Sequence, residues 1–324
     1  MRQNPFKPIY DKCNAGNSKE KLNNLLDFPR YIDVELTNTC NFKCLMCPTG
    51  VGVQKRMKGF MSDAVYYKIL TEIKGYKTPL RFVRWGEPTL HPKMLEYLKE
   101  AKKNNIFIHI NTNGKMLDEE MMLELIAIPL DSIKLSFQGV DEKSYKEMRN
   151  IDYFKELLKK IENLYNLRGD KKYPFIHIAT TITYESNEQV AFFKERVRKF
   201  ADHVTVGRTQ LEFIDISKVK LKESEVTTLL WLKEQESLFK KHPECPEVFD
   251  KLSINWDGKV TACCADYDEK MVIGDVMESS LNEIWNSEKL NYYRSLLADM
   301  RHDDIELCRM CFDTMGIITK LNKV

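Results

Sequence analysis

Three cysteines, Cys40, Cys44 and Cys47, fall within eight residues in "TCNFKCLMC". Thiolates are soft ligands that suit zinc and iron–sulfur centres alike. A structural zinc site takes four protein ligands, usually as two pairs. A set of three on one loop points instead to a metal centre with one position left open, or to unrelated buried thiols. A second group lies towards the other end of the chain: Cys245, Cys263, Cys264, Cys308 and Cys311. Of the nine cysteines only Cys13 stands apart. Disulfides belong to exported proteins, and "MRQNPFKPIYDKC" has no apolar signal-peptide core, so metal binding and a cytoplasmic location are expected.

The rest of the composition narrows the field. Lysine plus arginine (50) nearly balances aspartate plus glutamate (48), a net charge of +2 that gives no case for nucleic acid as a partner. No run is long and apolar enough to cross a bilayer, so no membrane partner is expected. A hydrophobic fraction of 43% in 324 residues suits one large globular domain, or one large and one small.

The elements that must position the cysteines follow a βα rhythm. Candidate strands are "YIDVEL" (31–36), "LRFVRW" (80–85), "IFIHIN" (106–111), "IKLSF" (133–137), "FIHIATTI" (175–182) and "HVTV" (203–206). Helical periodicity fills 62–74, 92–104, 118–127, 141–149, 152–167 and 188–200. Ser62 and Asp63 are suited to cap a helix, Pro92 to open one, and Asn113-Gly114 to break the chain after its strand. Six strand-then-helix units predict an α/β fold: a parallel sheet with right-handed crossovers, forming a partial (β/α)6 TIM-like barrel. Chemistry in such sheets gathers at the C-terminal strand ends, where "TNTCNFKC", "GEPTLHP", "NTNG" and "SFQG" lie. The expected organisation is an N-terminal extension (1–30), the barrel (31–208), a linker with a helix near 222–241 (209–244), and a small C-terminal domain (245–324) with a hairpin at Asp257-Gly258.

"CNFKCLMCP" matches the CxxxCxxC loop of the radical S-adenosylmethionine (SAM) enzymes, and "WGEPTLHP" resembles that family's GGEP-type methionine-binding motif. The resemblance spans 31–208 with the motifs in order. Trp85 replaces the first glycine of the usual pair, and Met46 stands where many members have an aromatic. The resemblance implies a [4Fe-4S] cluster on Cys40, Cys44 and Cys47, its open iron chelated by S-adenosyl-L-methionine. It also implies a 5′-deoxyadenosyl radical that abstracts hydrogen from a substrate. Gly86, Glu87 and Pro88 carry the methionine-binding motif, with Glu87 accepting from the cofactor ammonium. Asn111, Asn113, Ser136 and Gln138 end strands on the same face and are candidate cofactor contacts; turn stabilisation is their competing role. Arg149 is a candidate for the cofactor carboxylate, or a solvated helix-end arginine. Arg84 is a candidate for an anionic substrate or a plain ion-paired arginine. His109 could line the barrel interior, and His91 reads as a loop or cap histidine.

The tail resembles the shortened, twitch-type version of the SPASM domain, because no cysteine follows near 317. This implies one auxiliary [4Fe-4S] cluster on Cys245, Cys263, Cys308 and Cys311; a zinc ribbon is the competing reading. Whether Cys263 or Cys264 is the ligand is open, and the spacing from Gly258 favours Cys263. The leading expectation is dehydrogenation of a small polar substrate, a carbohydrate or aminocyclitol, with the auxiliary cluster accepting an electron. An electron donor such as flavodoxin or ferredoxin is implied. The alternatives are an epimerase with Cys264 or Cys13 returning hydrogen, a peptide-modifying enzyme, and a non-enzymatic iron–sulfur or zinc protein. About thirty residues precede the first strand, fewer than a leader-binding domain needs, which lowers the peptide expectation.

Overall fold

The computed structural model describes residues 2–209, 245 and 247–309. Six strands run parallel: β1 (Tyr31–Val34), β2 (Leu80–Phe82), β3 (Ile108–Thr112), β4 (Ser132–Ser136), β5 (Phe175–Ile182) and β6 (His203–Arg208). They lie side by side in the order β6-β5-β4-β3-β2-β1. The partial barrel is therefore present, with a helix between successive strands.

Local sequence explains the helices. In Asp63–Ile73, Val65, Tyr66, Ile69, Leu70 and Ile73 recur at helical spacing and are buried, and the Ser62 side chain accepts from Val65 N. Asp141 with Ser144, and Ser186 with Gln189, form reciprocal caps on Glu142–Arg149 and Asn187–Val197. The strands alternate. Ile108, Ile110, Ile133, Leu135, Ile176 and Ile178 are wholly buried in the core shared with the helices. Each such side chain contributes about 1.5–3 kcal/mol of apolar burial. Their neighbours His109, Lys134 and His177 lie on the opposite, inner face.

Two details differ from expectation. The second strand stops at Phe82 because Val83–Gly86 turn away to build the site. Pro92 stays outside the helix Met94–Lys103. The stretch "SLNEIWNSEKLNYYRSLLADM" (280–300), whose apolar residues recur at helical spacing, forms two helices, Leu281–Trp285 and Glu288–Ala298, with Ser287 capping the second. The linker helix near 222–241 lies outside the described residues.

The tail does not stand off from the barrel. Its first strand, β7 (Lys251–Ile254), pairs in parallel with β1, from Tyr31 opposite Lys251 to Val34 opposite Ile254. The expected hairpin at Asp257-Gly258 joins β7 to β8 (Lys259–Thr261), and β9 (Val272–Asp275) adds to β8, both pairs antiparallel in the same sheet. One nine-stranded sheet results.

A buried ion ladder crosses the β2–β1–β7 seam. Asp33 accepts from Arg81 Nε and Nη2 (2.6 and 2.9 Å) and lies 3.2 Å from Lys251 Nζ, which also pairs with Glu247. The N-terminal segment closes the N-terminal strand ends. Tyr10 hydroxyl meets Arg81 Nη1 at 3.3 Å, the Phe6 ring sits 5.7 Å from His109, and Arg2 Nη2 donates to Gly169 O (2.6 Å).

Candidate active site

The loop after β1 carries Cys40, Cys44 and Cys47, and most of what surrounds it holds it in place. Gly86 brings the end of β2 against it: a Cβ there would lie 1.9 Å from Thr37 O and 2.9 Å from Thr39 O. Glu87 N then donates to Thr39 O (2.8 Å). Glycine is thus required at 86 for contact between two backbones. Gly86→Ala is expected to push the cysteine loop from the strand end, lowering both iron uptake and thermal stability. Iron content and Tm equal to wild type would show that the strand end yields instead.

Glu87 is buried, and its oxygens are well supplied. Oε1 accepts from Thr89 N (3.2 Å), Thr89 Oγ1 (2.6 Å) and Thr112 Oγ1 (2.7 Å), whereas among the described residues Oε2 accepts only from Asn113 N (2.7 Å). Burial raises its pKa against these hydrogen bonds. A carboxylate has about four acceptor positions, so Oε2 keeps one for a further donor. Pro88 starts the single buried turn Pro88–Leu90 that places Thr89 beneath the carboxylate.

Asn113 and Arg149 both reach the thiols. Asn113 Nδ2 lies 3.8 Å from Cys40 Sγ and 2.8 Å from Asn41 Oδ1. Arg149 Nη1 lies 3.5 Å from Cys44 Sγ, its Nη2 donates to Ser136 O, and its Nε is buried without a partner among the described residues. Burial pushes the Cys40 thiol up to about 12, with the charges of Glu87, Cys44 and Cys47 adding to it. Cys47 moves the same way, through burial and then Cys44. Among the described residues no three His, Cys, Asp or Glu side chains surround a single point fit for one ion. A cubane asks something different, one thiolate at each of several separate irons. Three thiols on one loop, Cys44 buried and Cys40 and Cys47 partly so, with an orphaned guanidinium N–H beside them, fit such a cluster and an anionic ligand on its open side.

The other sequence candidates distribute unevenly. Ser136 contributes its carbonyl, to Arg149. Gln138 is buried and its amide is clasped between Thr181 and Thr209 hydroxyls. Asn111 Oδ1 accepts from His109 Nε2 (2.7 Å), on the inner face. His91 is a buried loop residue, with Nε2 on Met61 O (2.9 Å) and Nδ1 accepting from Lys93 N (3.1 Å). Arg84 adopts φ 130° and donates from Nη2 to Asp266 O (2.8 Å), while its Nε and Nη1 are buried without partners among the described residues.

Residues that the motifs did not single out join the two cysteine groups. Arg56 forms a two-pronged pair with Glu35 (2.8 and 2.8 Å) and donates from Nε to Tyr267 O (2.8 Å). Lys55 N donates to Asp268 Oδ1 (2.7 Å), and the Trp85 and Tyr267 rings meet edge to face at 5.9 Å. The tail loop after Cys263 and Cys264 is thereby fastened to the segment after Cys47. Cys263 is pushed well up, first by its hydrogen bond with Cys264, then by burial and by the charges of Glu247 and Cys245. Tyr293 lies within electrostatic reach of both Asp266 and Cys308. Cys311 lies outside the described residues. Cys13 sits beside Asp250 and Arg30, at the N-terminal ends of β1 and β7 and away from the cysteine loop. No described helix is long and apolar enough to cross a membrane.

Comparison with known proteins agrees with this geometry. A Pyrococcus furiosus protein named tungsten-containing aldehyde ferredoxin oxidoreductase cofactor-modifying protein is 24% identical over 319 residues, covering 87% of each chain. The structure of BtrN in complex with AdoMet and 2-DOIA superposes with a TM-score of 0.54 at 18% identity, over 88% of this chain and 93% of BtrN. Streptococcus suis SuiB bound to precursor peptide SuiA gives 0.64 at 17% identity, over 89% and 70%. The Radical SAM superfamily profile matches residues 34–196, and the SPASM iron-sulfur cluster-binding domain profile matches 245–312. The chain is therefore a member of the radical SAM superfamily, a radical SAM enzyme with a C-terminal SPASM domain.

Proposed function

We propose that this radical SAM enzyme takes hydrogen from a substrate held at the C-terminal mouth of the barrel and completes a two-electron oxidation. The observation that carries the reading is the fastening of the two cysteine-bearing segments to one another through Arg56, Lys55 and Arg84. It keeps an electron acceptor at a fixed place beside the reaction site. When bound, the Cys40–Cys44–Cys47 cluster with S-adenosylmethionine supplies a 5′-deoxyadenosyl radical that removes a substrate hydrogen.

The chain's own residues bind and orient. Glu87 Oε2 has an acceptor position for the cofactor ammonium, and the orphaned Arg149 Nε suits its carboxylate. Asn113 steadies Cys40 through its amide. Trp85, packed edge-on to Tyr267, walls the mouth from water on the tail side. Cys245, Cys263, Cys308 and Cys311 would hold a single auxiliary cubane, which supplies the acceptor. Gln138 is engaged at both ends of its amide by Thr181 and Thr209 and takes no part in this proposal. Oxidation is preferred to epimerisation because Cys264 is hydrogen-bonded to Cys263 and Cys13 lies at the wrong end of the strands. A peptide substrate stands beside a small molecule, because SuiB, a structural neighbour, has been solved with a precursor peptide.

The test is anaerobic. Reconstituted protein, dithionite and S-adenosylmethionine are expected to yield 5′-deoxyadenosine above a protein-free control. No 5′-deoxyadenosine under any reductant would remove the enzymatic reading. Solvent deuterium in an otherwise unchanged substrate would replace oxidation with epimerisation.

A further inference from the structure

The inner face of the barrel carries a positive charge that nothing described in the chain balances. Register places Asp33, Arg81 and His109 at one level across β1, β2 and β3, and Asn111, Lys134 and His177 at the next across β3, β4 and β5. Asp33 is the carboxylate of these six residues, and it is already shared between Arg81 and Lys251. Lys134 is partly accessible and has no hydrogen bond or ion pair among the described residues. The surroundings of both neighbouring histidines disfavour their charged forms. His109 is pushed well down by burial and then by Lys134, and His177 down to about 3 by the same two causes. Lys134 itself is lowered to about 8, by burial and then by Arg81, against the weaker opposing charge of Asp33. An ammonium in such surroundings is costly unless an anion meets it.

Position and charge say which anion. Ser136, whose carbonyl receives Arg149, stands two residues further along β4 on the same face. Lys134 therefore lies about 7 Å deeper than the Arg149 contact, at about 3.3 Å of rise per residue. The cofactor carboxylate has its own arginine there. One unbalanced cation matches one negative charge, as a carboxylate carries, whereas a phosphate dianion would leave an excess. Asn111 gives its oxygen to His109, which leaves its amide N–H groups as donors beside the ammonium.

We propose that Lys134 anchors a carboxylate of the substrate inside the barrel, with Asn111 as its second donor. The inference rests on the reading that the barrel mouth is the reaction site. It changes the expected substrate class: an aminocyclitol or other amine without an acid would be repelled, and a carboxylic acid or the acidic group of a peptide would be drawn in.

The test uses the full-length, reconstituted protein with S-adenosylmethionine bound, as wild type, Lys134→Met and Lys134→Arg. The probes are glutarate and a glutamate-containing pentapeptide, each with its amide counterpart, at matched ionic strength. Without probe, Lys134→Met is expected to equal or exceed the wild-type Tm, because it removes a half-buried charge that has no partner among the described residues. At least one acid probe is expected to raise the wild-type and Lys134→Arg Tm by about 2 °C or more. The amides should do nothing, and Lys134→Met should need at least tenfold more acid for the same shift. A response to glutarate alone identifies a free acid, and to the peptide alone an acidic peptide. The proposal is overturned by a lowered Tm in unliganded Lys134→Met, or by acid responses that are equal in wild type and Lys134→Met or absent from both. Tenfold weaker S-adenosylmethionine binding would also overturn it, by assigning the lysine to the cofactor. The same samples are assayed for 5′-deoxyadenosine. Its absence counts against the enzymatic reading alone, since the Tm comparison does not depend on turnover.

Discussion

Cys44→Ala is expected to halve the iron retained after anaerobic reconstitution and to lower 5′-deoxyadenosine formation by at least about a hundredfold. The thiol is buried on the loop that also carries Cys40 and Cys47, and Arg149 Nη1 approaches it at 3.5 Å. Its loss leaves a cubane two protein ligands and strands a half-buried guanidinium without its sulfur partner. Alanine keeps the loop's backbone contacts, so the fold should survive and the loss should be confined to the metal. Cys13→Ser is the control, because that thiol lies beside Asp250 at the other end of the strands. Cys263→Ala should remove the remaining half of the iron and Cys264→Ala should not. Iron measured per chain in the four variants decides the ligand sets. Full iron in Cys44→Ala would dismantle the assignment of the first cluster.

The largest stability effect is expected at Asp33, which no cofactor touches. Asp33→Asn should reduce folding stability by about 3–5 kcal/mol, because it leaves Arg81 and Lys251 buried with too little negative charge between them. Burial alone would raise the Asp33 pKa, but the charges of Arg81 and Lys251 outweigh it and hold the carboxyl well below the usual range. A depressed folded pKa stabilises at any pH where the unfolded residue is ionised, above about 4. That contribution is lost as the pH falls further towards the folded value. Urea midpoints at neutral pH measure the first effect. The double variant Asp33→Leu with Arg81→Met, which removes both partners, should lose less than the sum of the two single changes. Strict additivity would mean that the pair is not coupled across the seam.

How much of this was legible in the sequence depended on how local the cause was. Strands β1 to β6 and the helices between them follow from alternation, helical spacing and caps, all of which act within a few residues. The cysteine loop and "WGEP" were legible because each is one short segment with fixed spacing. The reason for Gly86 was not, since Thr37 lies far away in sequence and meets it only after β1 and β2 pair. Gln138 looked available because a strand-end amide is polar, yet Thr181 and Thr209 reach both of its ends, whereas His109 takes only the oxygen of Asn111. Lys134 was read as one residue of a strand. Its lack of a partner among the described residues emerges only when β3, β4 and β5 are laid side by side.

The pairing of β7 with β1 has a consequence for how such chains can be cut and recombined. Ending the chain before Lys251 would strip β1 of a neighbour and leave a row of unpaired backbone donors and acceptors, a template for unwanted self-association. It would also withdraw a cation from Asp33. A tail borrowed from a relative must therefore bring a strand of matching register and a lysine in phase with that acid, so barrel and tail have to be inherited, expressed and redesigned as one piece.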